Sequence, residues 1–167
     1  MGTKIVVMGV TSTGKTLMGS KLAEALHGRF IDGDDLHPQA NVDKMARGEP
    51  LDDRDRAPWL DRIGRALAGG EGTMVVACSA LKRAYRDRIR DAAGPVVFVH
   101  LTGPRELIAK RMTRREGHFM PVSLLESQLA TLEPPGPGER SIELDIERPP
   151  AELLRLAVDR LRARPAD

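Results

Sequence analysis

The sequence predicts an α/β domain: a parallel sheet with helices on both faces. Three observations carry that prediction. Short apolar runs alternate along the chain with longer segments of helical periodicity. Two of the runs, 73–78 and 95–101, are apolar nearly throughout, as in strands buried on both faces. A glycine-rich loop of phosphate-binding pattern joins the first run to the first helical segment. With 167 residues, 41% hydrophobic and 30% charged, the chain can bury one sizeable core. No linker, repeat or low-complexity tract divides it, so 1–167 reads as a single domain.

In order, residues 5–8 read as a strand and 15–26 as a helix with Met18, Leu22, Ala25 and Leu26 on one face. Residues 29–31 form a short strand ending in Asp32-Gly33-Asp34-Asp35, and 41–47 a short helix closed by Gly48. A helix is expected over 58–68, with Pro58 in its first turn and Gly69-Gly70 at its end. After the strand at 73–78 come a charged helix (81–92), the strand at 95–101, and helices over 104–115 and 122–132. A turn-rich break at 133–138 precedes the last strand (141–146). Pro149 and Pro150 open a final helix with Leu154, Ala157, Val158 and Leu161 at helical spacing.

Composition excludes several classes. Lys plus Arg, 26, nearly balances Asp plus Glu, 24, for a net charge of +2, so there is no electrostatic footprint for nucleic acid or an anionic membrane. Aromatic residues make up 3%, too few for a base-stacking platform. No apolar run is long enough to span a bilayer, and 4–8 follows the N-terminus with no signal-peptide layout. The single cysteine, Cys78, allows no internal disulfide. A cytoplasmic location is expected.

Gly9-Val10-Thr11-Ser12-Thr13-Gly14-Lys15-Thr16 matches G-x-x-x-x-G-K-[ST]. Glycines let the backbone wrap a phosphate with its N–H groups turned inward, and the following helix adds its positive end. Lys15 reaches the β- and γ-phosphates, and the Thr16 hydroxyl can ligate Mg²⁺. The strand at 73–78 ends in Cys78-Ser79, without the expected metal-binding aspartate. The carboxylates follow the 29–31 strand instead, as Asp32, Asp34 and Asp35. Asp32, deepest, is assigned to magnesium. Asp34, beyond the Gly33 turn, is assigned to the acceptor hydroxyl.

The run Asp32-Gly33-Asp34-Asp35-Leu36-His37-Pro38 continues into Asn41-Val42-Asp43-Lys44-Met45, Gly48-Glu49-Pro50-Leu51 and 52–60. Later come 78–82, Tyr85-Arg86, His118-Phe119-Met120-Pro121 and 127–134. From Gly9 to Pro134 this set resembles the gluconokinases, P-loop kinases related to shikimate and adenylate kinases. The resemblance implies ATP-dependent phosphorylation of D-gluconate to 6-phosphogluconate. It also implies a five-stranded parallel sheet, a mobile lid and a homodimer. One departure is local: the family's loop has a third glycine where this chain has Ser12.

Gluconate is a small anion with five hydroxyls, so its pocket needs a cation and short polar groups. His37, Arg54, Arg56, Lys82 and Arg86 are candidates. Lys82 is preferred near the phosphoryl group or substrate, and Arg56 on the carboxylate. Trp59 reads as core. Arg111, Arg114 and Arg115 precede Gly117 and suit a lid over ATP at about 113–124, with Arg115 its chief catalytic cation. Two other readings use the same loop: a kinase of another small hydroxy-acid such as shikimate, and a nucleotide switch without an acceptor.

Overall fold

The computed structural model describes residues 2–114 and 122–163. Five strands, β1 (Lys4–Met8), β2 (Arg29–Asp32), β3 (Met74–Ala77), β4 (Val97–Thr102) and β5 (Ser141–Asp145), form one parallel sheet in the order β2-β3-β1-β4-β5. The helices are α1 (Lys15–Ala25), α2 (Gln39–Ala46), α3 (Asp53–Gly69), α4 (Arg83–Ala93), α5 (Arg105–Thr113), α6 (Val122–Thr131) and α7 (Pro150–Ala163). All expected strands are present within a residue or two of their predicted limits.

Period-two alternation along the strands splits the core into two layers. Ile5, Val7 and Val99 face one side, where they pack with Leu22 of α1, Ile108 of α5 and Leu153 of α7. Val6, Met8 and Phe98 face the other, against Leu60 and Ile63 of α3 and Ile89 of α4. Burying each such side chain contributes ~1.5–3 kcal/mol before the entropy of ordering is subtracted. Helices on both faces force the strand ends to carry the chemistry, and the C-terminal ends of β1, β2 and β3 converge on one cleft.

One boundary differs substantially. The helix expected from Pro58 starts at Asp53, which leaves Pro58 inside α3. The reason is a capping box that outweighs the proline signal. The Asp52 carboxylate accepts the Asp55 N–H at 2.8 Å, and the Asp55 carboxylate accepts the Asp52 N–H at 3.0 Å. Lys44 of α2 then pairs with Asp55 at 2.6 Å, locking α2 to the start of α3. The extra turn brings Asp53 and Arg56 against Tyr85 and Lys82 at the start of α4. Most of the expected lid, with Arg115 and His118, lies outside the described residues.

Candidate active site

The phosphate loop leaves β1 at Met8 and enters α1 at Lys15. Gly9 is required where the loop leaves the sheet: an added Cβ would sit 2.6 Å from the Leu101 backbone oxygen, at a φ of +148°. Gly14 caps α1 with no side-chain partner, so the first amides of the helix point into the cleft. The Thr13 hydroxyl and the Lys15 ammonium both donate to the Val10 carbonyl at 2.9 Å. The Gly9 N–H donates to Ser79 O at 3.3 Å, fastening the loop to the end of β3. Ser12, at the position of the missing glycine, holds the left-handed conformation glycine favours, with φ +62°.

A cleft of about 630 Å³ opens over this loop; it is lined by Lys15, Thr16, Asp32, Asp34, Ser79 and Gln128, among others. Asp32 ends β2, one strand beyond β3, and still reaches the loop: Thr16 Oγ1 donates to its Oδ2 at 3.2 Å. Its Oδ1 accepts the Asp34 N–H at 3.0 Å, which sets the 3₁₀ turn Gly33–Leu36. Gly33 is held tightly there, since a Cβ would meet Ala77 O at 2.4 Å. The Thr16 hydroxyl and Asp32 carboxylate form a hard oxygen pair beside the phosphate loop. That fits Mg²⁺, which takes one or two protein oxygens and completes its shell from phosphates and water. Among the described residues no group of three or more His, Cys, Asp or Glu forms an all-protein metal cage.

Asp34 stands between two cationic zones. Burial raises its carboxyl above the usual carboxylate range and Asp32 adds to the rise, while His37 and Lys15 oppose it. On the far side, His37 stacks on Trp59 with ring centroids 4.2 Å apart, and the Trp59 Nε1–H donates to Gly33 O at 2.7 Å. Trp59, 5% exposed, is thus core, as expected, and also the backing of the Asp34 turn. Asn41 Nδ2 donates to Asp55 O at 2.9 Å, which fixes its amide orientation, and the same nitrogen lies 3.2 Å from His37 Nδ1. An amide nitrogen can only donate, so Nδ1 is the acceptor and Nε2 carries the proton. Burial, with Arg56 nearby, also lowers the His37 pKa, favouring the neutral ring.

Arg56 and Lys82 meet around Tyr85. Arg56 donates to the Tyr85 hydroxyl at 3.2 Å, and that hydroxyl donates to Asp53. Lys82 pairs with Asp53 at 3.3 Å. Both cations also lie over the Tyr85 ring, at 5.6 and 5.4 Å from its centroid. Asp53 and Tyr85 were not among the sequence candidates; the capping box, which adds a turn to α3, was the signal for the first. Arg54 is exposed on α3.

Arg86 requires a correction. It was expected at the substrate, yet its side chain is fully buried and bound on all three nitrogens. Nε donates to Glu139 at 2.8 Å, one terminal nitrogen to Ala80 O at 2.8 Å, and the other to Glu133 O at 2.7 Å. Burial would raise the Glu139 carboxyl, but its bonds to Arg86, the Gly136 N–H and Arg90 pull it down to about 2. Arg86 pins the 133–139 turn to the start of α4 and, fully buried, is out of reach of a ligand. Arg111 is half-buried and donates to Ile146 O at 3.1 Å, beside the end of β5. Cys78 is buried, which pushes its thiol up to about 12 and removes it as a nucleophile.

A parallel sheet, a phosphate loop at its switch point and an acid–cation pair across the cleft define a P-loop phosphotransferase. Residues 5–135 match the family described as an AAA domain. The chain is 48% identical to the gluconokinase of Gluconobacter oxydans over 163 residues, 95% of this chain and 91% of that one. The crystal structure of a gluconokinase from Sinorhizobium meliloti superposes with a TM-score of 0.86 at 48% identity, covering 96% of this chain and 91% of that one. Shikimate kinase from Aquifex aeolicus shares the fold, with a TM-score of 0.57 at 17% identity over 95% of this chain and 96% of that one. The chain belongs to the gluconokinase family.

Proposed function

We propose that the chain transfers the terminal phosphoryl group of ATP to the C6 hydroxyl of D-gluconate. The observation that carries the reading is the placement of Asp34. It lies within electrostatic reach of Lys15 on the nucleotide side and of His37, itself near Arg56, on the acceptor side. In the reaction the C6 oxygen bonds to the γ-phosphorus as the bond to the β,γ-bridging oxygen breaks. The hydroxyl proton passes to Asp34, and ADP leaves. A carboxyl raised above its usual range is a better proton acceptor than an ordinary surface aspartate.

Lys15 and the amides of the Gly9–Thr16 loop, through Val10, Ser12, Thr13 and Gly14, neutralise the phosphate chain, while the Thr11 N–H donates to Gln128. Arg111 and Arg115 complete the nucleotide side. Thr16 and Asp32 would hold Mg²⁺, which would supply charge neutralisation to the phosphate chain. His37 donates through Nε2 to a substrate hydroxyl, and Arg56 and Lys82 pair with the carboxylate. Two features support this reading of the cations: both converge on one carboxylate, Asp53, and neither is buried beyond reach. The same reading places the enzyme in the cytoplasm as a homodimer, the latter resting on the family resemblance alone. Sedimentation would test it.

A coupled ADP-release assay with a panel of acceptors tests the assignment. Gluconate should be consumed far faster than shikimate, glycerate or an uncharged polyol, because a site built to pair a charge rejects a ligand that leaves its partner unpaired. Equal kcat/KM for the uncharged polyol would refute it.

A further inference from the structure

We propose that Gln128 of α6 binds the terminal phosphoryl group of ATP directly. Its Oε1 accepts the Thr11 N–H of the phosphate loop at 2.6 Å. A backbone N–H can only donate, so the bond identifies which end of the carboxamide is oxygen. The other end is an N–H₂ group with two donors. Among the described residues that nitrogen makes no hydrogen bond, and Gln128 lines the same cleft as Lys15, Thr16 and Asp34.

The geometry of the loop gives the donor its task. The Thr11 N–H and the Val10 carbonyl belong to one peptide unit, and a trans peptide points them in opposite directions. Lys15 sits on the carbonyl end at 2.9 Å and Gln128 on the N–H end at 2.6 Å. The two side chains therefore bracket the loop from opposite sides. A phosphate chain lying in the loop meets the ammonium on one flank and the carboxamide N–H₂ on the other. Charge in phosphoryl transfer spreads over three equatorial oxygens, and a hydrogen bond to such an oxygen is about twice as strong as one between neutral groups.

The helix is held firmly enough to deliver the donor. Leu125, one turn before Gln128, is fully buried in the core. Just past the C-terminus of α6, the Glu133 N–H donates to Leu81 O at 2.7 Å. A donor on an anchored helix requires no reorganisation when ATP arrives.

Two neutral measurements on Gln128→Met separate this role from simple propping of the loop. Binding of ADP and of a non-hydrolysable ATP analogue is measured by titration calorimetry, beside steady-state kinetics. If Gln128 meets the terminal group, affinity for the analogue and kcat/KM for ATP fall about 10-fold or more, while ADP affinity stays within about two-fold. If Gln128 only props the loop, ADP and the analogue weaken equally, and the proposal is overturned; unchanged kinetics overturn it as well. Gln128→Glu keeps an acceptor for the Thr11 N–H but has no donor. It should melt with the wild type and still lose ATP-analogue affinity more than ADP affinity; equal affinities to wild type would also sink the idea.

Discussion

The two sides of the cleft are built on different principles. The nucleotide side is made of backbone held by buried strands: the loop between β1 and α1, tied to Ser79 by a main-chain bond and backed by residues of 0–3% exposure such as Met8 and Val10. The proposed acceptor side is made of side chains, Asp53 and Arg56 of α3 with Lys82 and Tyr85 at the start of α4, partly open to water. A backbone cradle can be read from consecutive residues. A side-chain cluster cannot, because its members lie about thirty positions apart and meet only when α3 packs on α4.

The largest expected effects lie where the two sides join. Lys15→Ala should all but abolish turnover without lowering the melting temperature appreciably, since Lys15 supports charge and not packing. Asp34→Asn should lower kcat at least ~10²-fold with nucleotide affinity near normal. Asp32→Asn should instead raise the Mg²⁺ concentration needed. The pH profile follows from the raised Asp34 carboxyl: a base works only above its own pKa, so the acid limb of kcat/KM should lie above the ordinary carboxylate range and vanish in Asp34→Asn. If Asp34→Asn moved only the Mg²⁺ requirement, the two acids would have their roles reversed.

On the acceptor side, Arg56→Ala and Lys82→Ala should each lower kcat/KM for gluconate about 10–100-fold while leaving KM for ATP within a few-fold. A loss of ATP affinity equal to the loss of gluconate affinity would mean that the cations serve the phosphates, and the two-sided picture would fail.

How much was legible follows the same division. The fold, the phosphate loop and the Asp32–Asp34 turn are local patterns, and the structure has them where the sequence places them. Arg86 shows what local pattern misses. It sits next to Tyr85, near Lys82, and looks like another pocket cation. Only the return of the chain at Glu139, 53 positions later, turns it inward. Pro58 misled for the opposite reason: a strong local signal was outweighed by the capping box six residues earlier. Gln128 carries no chemistry-bearing signature of its own, and the role proposed for it rests on its bond to the loop.

The buried pair gives a stability test that the cleft residues do not. Removing one partner of a buried ion pair costs ~3–5 kcal/mol, so Arg86→Ala should lower the melting temperature by many degrees. Glu139 has its carboxyl held at about 2 in the folded chain against an ordinary 4.5. A depressed pKa stabilises above the unfolded value and is lost as pH falls through the folded one. Its contribution is therefore complete above pH 4.5 and disappears between 4.5 and about 2. Glu139→Gln should be destabilised at pH 7 and show a shallower loss on acidification. An acid limb of wild-type steepness would contradict the pairing.

The smallest effect concerns two positions in one loop. At Gly9, alanine would bring a Cβ to 2.6 Å of the Leu101 backbone oxygen, which cannot move without disturbing β4. At Ser12 the backbone already has φ +62°, and the structure tolerates the side chain. Left-handed backbone costs an ordinary residue ~1–2 kcal/mol, whereas glycine adopts it freely. Glycine also gives the unfolded chain ~0.4–1 kcal/mol more conformational entropy to lose, which offsets about half of that gain. Ser12→Gly should thus raise the melting temperature by no more than about 2–4 °C, with KM for ATP changed less than about three-fold. Gly9→Ala should cost several times as much in the opposite sense. Thermal melts of the two variants decide the matter: a large gain from Ser12→Gly would mean that the serine strains the cradle, and a neutral Gly9→Ala would mean that the loop is not clamped by the sheet.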